Sequence, residues 1–174
     1  MKVVQGNIFD KSFLASIFIG HDAVVSCLGF PRNPQPVTGY TESATAMTSA
    51  MREANVNRLV TMTAWYTDTT SASTSGFLVN WLLVPFLRPV LTNMHEMEKY
   101  LESSCSDLNY TVVRPPGLGT GPKTGLPMQV QEDYLVTTNS SMNRISRADV
   151  AFFMLGCLNT DEYNRKMIAI ITQK

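Results

Sequence analysis

Three short strand-like runs, the first of them rich in valine, constrain this chain more than anything else in it. Residues 22–28 (DAVVSCL), 58–63 (RLVTMT) and 108–114 (LNYTVVR) are too short for helices and show little polar alternation. Runs of that kind suit strands buried on both faces, the usual state of parallel strands. Helical spacing fills the gaps between them. Asp10 stands where it can cap a helix bearing Phe13, Leu14, Ile17 and Phe18. Residues 41–55 place Ala44, Met47, Ala50, Met51 and Ala54 on one side, and residues 93–103 do the same with Met94, Met97 and Leu101. The alternation requires parallel strands joined by crossover helices.

Further elements are predicted at both ends. Residues 2–6 (KVVQG) read as an opening strand, and residues 128–136 and 167–172 as later ones. Ser146 and Asp149 have capping-box spacing, with the shorter acid at the third position, so a helix is expected from there through Leu158. Residues 29–39 form a loop, because Pro31, Pro34 and Pro36 block regular structure. One domain, residues 1–174, accounts for the whole chain.

Composition excludes several classes. Lys plus Arg (14) equals Asp plus Glu (14), with no basic stripe, so nucleic acid is not an expected partner. The three cysteines are scattered and form no C-x-x-C pair, which argues against a disulfide framework or a zinc site and suits the cytosol. No metal site is expected. The apolar stretch 77–91 carries Asn80, Pro85, Arg88 and Pro89 and falls short of the ~20 apolar residues a spanning helix needs. It reads as a half-buried helix or a wall of a pocket.

In a parallel sheet, ligands bind beyond the carboxyl ends of the strands, near the point where strand order reverses. The loops after Gly6, Leu28, Thr63 and Arg114 are therefore the ones to watch. The segments that carry them form an ordered set: Gly6-Asn7-Ile8, the run ending Leu28-Gly29, RLVTMTA, YTVVRPP and ISRADVAFFML. That set resembles the atypical short-chain dehydrogenase/reductase family, most closely its NADPH-dependent flavin reductase (biliverdin IXβ reductase) branch. The final helix and the turn after it, through Tyr163, carry the most specific part of the likeness. It covers essentially the whole chain, apart from a longer insertion around residues 67–88.

The resemblance implies a Rossmann-like α/β fold binding NADP, or NAD, and hydride transfer to a flavin, a tetrapyrrole or a quinone-like small molecule. It assigns Asn7 and Ile8 to the adenine end of the cofactor, with Asn7 where an Asp is usual. Leu28 and Gly29 form the loop that approaches the cofactor, and Arg32 and Tyr40 add contacts. Thr63 and Ala64 fall beside the nicotinamide ribose, and Pro115, Pro116 and Gly117 beside the ring. Ala64 replaces a family serine, Met94 and Gly117 stand in place of histidines, and His95, one residue along, is the catalytic candidate. Each has a plainer reading: Gly29 and the prolines as turn residues, Thr63 as a strand former, Arg32 as a solvated charge, His95 as a surface histidine and Cys157 as inert core.

The largest departure is at the front. The family opens with a strand, a glycine-rich turn and a helix that holds the pyrophosphate, and this sequence is expected to begin at the third strand. The expected fold is thus N-terminally truncated, lacking a first βαβ unit of roughly 30 residues or more. In the order 3-2-1-4-5-6 the absent strands fall between residues 2–6 and 22–28, leaving unpaired edges. An inactive cofactor-sensing or protein-interaction member of the fold, or a non-functional truncated product, is the alternative function.

Overall fold

The computed structural model describes residues 2–30, 36–68, 70, 81, 84–138 and 143–173. Arg32, most of the Ser/Thr-rich loop 67–76 and residues 77–80 and 82–83 of the apolar stretch lie outside them. Helix α1 (Lys11–Phe18) leads to β1 (Ala23–Ser26), then α2 (Gly39–Glu53) and β2 (Arg58–Met62). Helix α3 (Val84–Ser104) precedes β3 (Asn109–Arg114) and the short β4 (Gly117–Gly119). Then come β5 (Met128–Gln131), β6 (Arg144–Ser146), α4 (Arg147–Gly156), a 3-10 turn (Cys157–Asn159) and β7 (Lys166–Thr172).

The main sheet has the order β1-β2-β3-β7-β5. The first three ladders are parallel, and β5 closes the far side antiparallel to β7. Side chains alternate between faces along each strand. Val24, Leu59, Tyr110 and Val112 therefore meet Leu14, Met51 and Leu101 from α1, α2 and α3 in one cluster. Val60, Val113 and Ile170 point the other way, against Val150, Met154 and Cys157 of α4 and the turn after it. This is the doubly wound α/β arrangement expected from the alternating runs.

The face carrying α4 is covered unevenly. Cys27, just beyond β1, reaches Met154 across 3.8 Å. Val25, on the same face of β1, stays 40% exposed, and Leu155 on α4 is 56% exposed.

Several expectations change. Residues 2–6 form no strand; Val3 is 83% exposed and Val4 46%. Among the described residues β1 pairs only with β2, so no neighbour receives the backbone groups of that run. The 128–136 strand ends at Gln131, where Asp133 N–H turns back onto the Gln131 carbonyl. The last helix gives way to a 3-10 turn after Gly156. A two-stranded parallel ladder of β4 and β6 was not foreseen. Finally, α3 starts nine residues before Asn93. Pro85 falls in its first turn, where an N–H has no partner anyway. The cost of Pro89 is offset by burying Val84 and Leu91 against Ala64 and Tyr66.

Both predicted caps form. Asp10 accepts the Phe13 N–H at 3.0 Å, and Ser146 Oγ accepts the Asp149 N–H at 3.0 Å. Asp149 answers in its own way: its carboxylate takes the Ser146 hydroxyl, not the backbone N–H of a standard capping box. It also accepts the Thr124 N–H and hydroxyl, tying the loop before β5 to α4. Burial pushes this carboxyl up, but those hydrogen bonds outweigh it and hold it below the usual carboxylate range. A depressed folded-state value gives stability that is present above about pH 4 and lost as pH falls through the folded value. Asp149→Asn should therefore cost about 1–2 kcal/mol at pH 7, the scale of a charged hydrogen bond. Thermal melts from pH 7 to 2.5 should show the gap to the parent closing below pH 4.

Candidate functional site

The site is assembled where β1, β2 and β3 end. The ladder between the last two continues past their formal ends: Thr63 N–H donates to the Val113 carbonyl and Trp65 N–H to that of Pro115, each at 3.0 Å. Thr63-Ala64 and Pro115-Pro116 are thereby held side by side. Both prolines are buried, and the exposed Gly117 that follows them pairs with Arg144 of β6.

On the other side, Gly29 is exposed, and a Cβ there would meet nothing within 4 Å. Phe30 packs edge-on against Tyr40, with ring centroids 4.8 Å apart. That contact is why Gly39 opens α2, since a Cβ there would sit 2.6 Å from the Phe30 ring. The Tyr40 hydroxyl accepts the Phe30 N–H, and the Tyr40 N–H donates to Asn93 Oδ1 of α3 at 2.9 Å. Phe30, Tyr40, Ala64 and Met94 then share one apolar cluster. Leu28 lies just beneath, on a small cavity of about 10 Å³ lined also by Ser26, Tyr40, Thr61 and Leu101.

Asn7 and Ile8 are brought to the same edge. Asn7 Oδ1 accepts the Phe9 N–H at 3.0 Å in a turn that enters α1, and Phe9 stacks on Phe30 at 6.1 Å. The Asn7 amide oxygen is thus engaged locally. The structure gathers Asn7, Ile8, Leu28, Gly29, Tyr40, Ala64, Pro115, Pro116 and Gly117 around one edge. Arg32 is outside the described residues.

Thr63 turns away from this edge. It is buried, and its hydroxyl donates to Glu98 Oε1 at 2.7 Å. Glu98 is the residue that sequence reading missed. It is 2% exposed. Its carboxylate accepts four hydrogen bonds: from Thr63, from the Thr67 hydroxyl at 2.9 Å, and from Arg114 Nε and Nη2 at 2.9 Å each. Arg114 also donates to the Asp133 carbonyl and stacks over the Tyr134 ring at 4.2 Å. The carboxylate and guanidinium together pin the loops that follow β2 and β5 to the end of β3.

His95 sits on the rim of this network, with its side chain 23% exposed and Nδ1 3.8 Å from Glu98 Oε2. The carboxylate is already filled, so Nδ1 is left without a hydrogen-bond partner. The ring lies 5.9 Å from that of Tyr134. Met94, where the related family carries a histidine, is buried beside Tyr40. Cys157 is 1% exposed, and burial pushes its thiol up to about 11, so it stays neutral in the core. Among the described residues there is no acid, histidine and cysteine group suited to a metal ion, and no helix long and apolar enough to cross a membrane.

Comparison with known proteins gives the same fold. The oxidoreductase ylbE from Lactococcus lactis superposes with a TM-score of 0.76 at 20% identity, covering 99% of this chain and 72% of its own. ChuY, described as an anaerobillin reductase from Escherichia coli O157:H7, gives 0.70 at 18%, covering 97% and 74%. A candidate NADH-flavin reductase from Streptococcus pneumoniae gives 0.74 at 20%, covering 99% and 81%. At such identities these likenesses show the shared fold, with each neighbour longer than the region matched. The family model for NAD(P)H-binding proteins matches residues 1–161. The chain belongs to the NAD(P)H-binding family.

Proposed function

We propose that this chain forms the substrate-facing part of an NAD(P)H-dependent reductase acting on flat, electron-poor acceptors, a flavin or a linear tetrapyrrole. The observation that carries the reading is the convergence of Gly29, Tyr40, Ala64 and Pro115–Gly117 on one sheet edge in a chain of this family. ChuY and the streptococcal protein, by their descriptions, point to the same acceptor classes. A reduced nicotinamide, when bound, supplies a hydride. Gly29 suits it because it is exposed backbone with open space where a Cβ would sit. The double proline offers a rigid apolar wall that excludes water from the reacting faces. In this reading His95 supplies the proton from Nε2, because its Nδ1 is buried beside Glu98.

The phosphates need another element. Such folds hold pyrophosphate at a glycine-rich turn between a strand and a helix. The described residues include no such turn, and the outer edge of β1 is where its strand would pair. The test is calorimetry with NADPH and NADH, then NADPH oxidation with riboflavin or biliverdin. Both are run on the chain alone and on the chain joined to a strand–turn–helix unit of the same fold. Turnover is expected in the joined form, and its absence with every flavin, tetrapyrrole and quinone would end this reading. His95→Gln should lower kcat about 10²-fold with little change in KM, the usual scale of a lost general acid. An unchanged kcat would assign the proton to water.

A second reading, cofactor binding without turnover, is favoured by one feature. The Thr63 hydroxyl is committed to Glu98 and Ala64 has none, so neither offers a hydroxyl to the acceptor. Binding without NADPH consumption would select it.

A further inference from the structure

An open groove of about 290 Å³ runs along the outer flank of α4, between that helix and residues 123–128. It is separate from the cleft described above. Arg58, at the start of β2, donates to the Cys157 carbonyl, and Thr111, early in β3, donates to that of Tyr163. The groove therefore reaches the edge where the strands begin, opposite the edge where they end. Its lining is mostly apolar, with Leu126, Met128, Phe153 and Tyr163 among the groups that form it. Gly156 makes a notch in the helix: a Cβ there would meet nothing within 4 Å.

Two features at the mouth indicate what the groove would hold. Phe152 is 60% exposed, a large ring left on the surface beside a concave apolar floor. Lys123 Nζ lies 3.3 Å from the centre of that ring. Among the described residues no carboxylate forms an ion pair with Lys123. Asp149 is part of the lining, but it is 3% exposed and its oxygens are occupied by Thr124 and Ser146. At Lys123 the accessible charge is therefore positive beside an apolar floor, while the exposed Glu162 adjoins Tyr163.

We propose that this groove is a second binding site, for a small amphipathic anion whose apolar body lies on Phe153 and Tyr163 while its carboxylate or sulfonate meets Lys123. The volume is at the lower end of the ~300–1,000 Å³ typical of small-ligand clefts, so the body is one or two rings or a medium acyl chain. The site is independent of the reductase reading, because none of its residues belongs to the cofactor edge.

Fluorescence titration of the full chain with the aromatic sulfonate 8-anilinonaphthalene-1-sulfonate, followed by displacement with decanoate, tests it. Saturable one-site binding is expected, with decanoate displacing the probe at least ten-fold more effectively than the neutral decanol. Lys123→Glu should weaken decanoate at least ten-fold, and Gly156→Leu, which fills the notch, should remove binding. Val25→Ser, on the edge strand β1 and outside the groove lining, should leave it unchanged and separates this site from general apolar exposure. Thermal melts check that each variant is folded; if Gly156→Leu is not, the exposed Phe152→Ser takes its place. Non-saturable binding, equal displacement by decanol, or insensitivity to both groove substitutions would overturn the proposal.

Discussion

Glu98→Ala is expected to lower the stability of the chain by about 3–5 kcal/mol, because removing one member of a buried ion pair strands the other. Arg114 is 4% exposed and would keep its charge with only the Asp133 carbonyl, the Met167 sulfur and the Tyr134 face as partners. Two hydroxyls, those of Thr63 and Thr67, would lose their acceptor at the same time. For a domain of this size each kcal/mol moves Tm by about 2–4 °C, so a fall of roughly 6–20 °C should be visible in a melt. The double replacement Glu98→Leu with Arg114→Met should recover much of the loss, since apolar groups of similar volume avoid the desolvation penalty. Urea unfolding of the two single variants and the double gives the coupling energy. A single-variant loss under about 1 kcal/mol would show that the network does not brace the fold.

Leu101→Ala should cost about 2–5 kcal/mol, with the upper half of that range expected. Leu101 is fully buried in the cluster that joins α2, α3, β2 and β3. It also borders the cavity of about 10 Å³ under Leu28 and Tyr40. Truncation would enlarge an existing void, and the cost of such changes rises with the volume left unfilled. Ser26 and Thr61 on the lining offer polar partners, so part of the space suits a water molecule. Denaturant unfolding measures the loss. A value below 1.5 kcal/mol would mean that α2 and α3 close over the gap.

The parallel strands were legible because burial on both faces leaves a run of apolar, β-branched residues. DAVVSCL, RLVTMT and LNYTVVR became β1, β2 and β3 with only their ends shifted. Asp10 and Ser146 were readable as caps because capping is a local event, settled within four residues. Residues 2–6 misled for the opposite reason. A strand pattern states a preference, but a strand exists only where a neighbour accepts its hydrogen bonds. Glu98 escaped because its partner lies sixteen residues on and its identity as an acid suggests a solvated face. A clue was present: Glu98 follows Met97, lies one turn beyond Met94 and three residues before Leu101, inside the apolar stripe of its own helix. A charged residue in that position implies a buried partner. The cleft residues were placed through family likeness, and no spacing rule alone would have joined Asn7 to Tyr40 through Phe9 and Phe30.

The outer edge of β1 bears on how the purified chain would behave in a tube. Its residues, Ala23 to Ser26, include no lysine, proline or bulge of the kind that keeps edge strands from joining end to end. Equal numbers of acidic and basic groups, with an isoelectric point near 6.7, leave almost no mutual repulsion between molecules at neutral pH. Concentrated solutions should keep better at pH 8.5 than at pH 6.7, and a single lysine at Val25 should improve them at either.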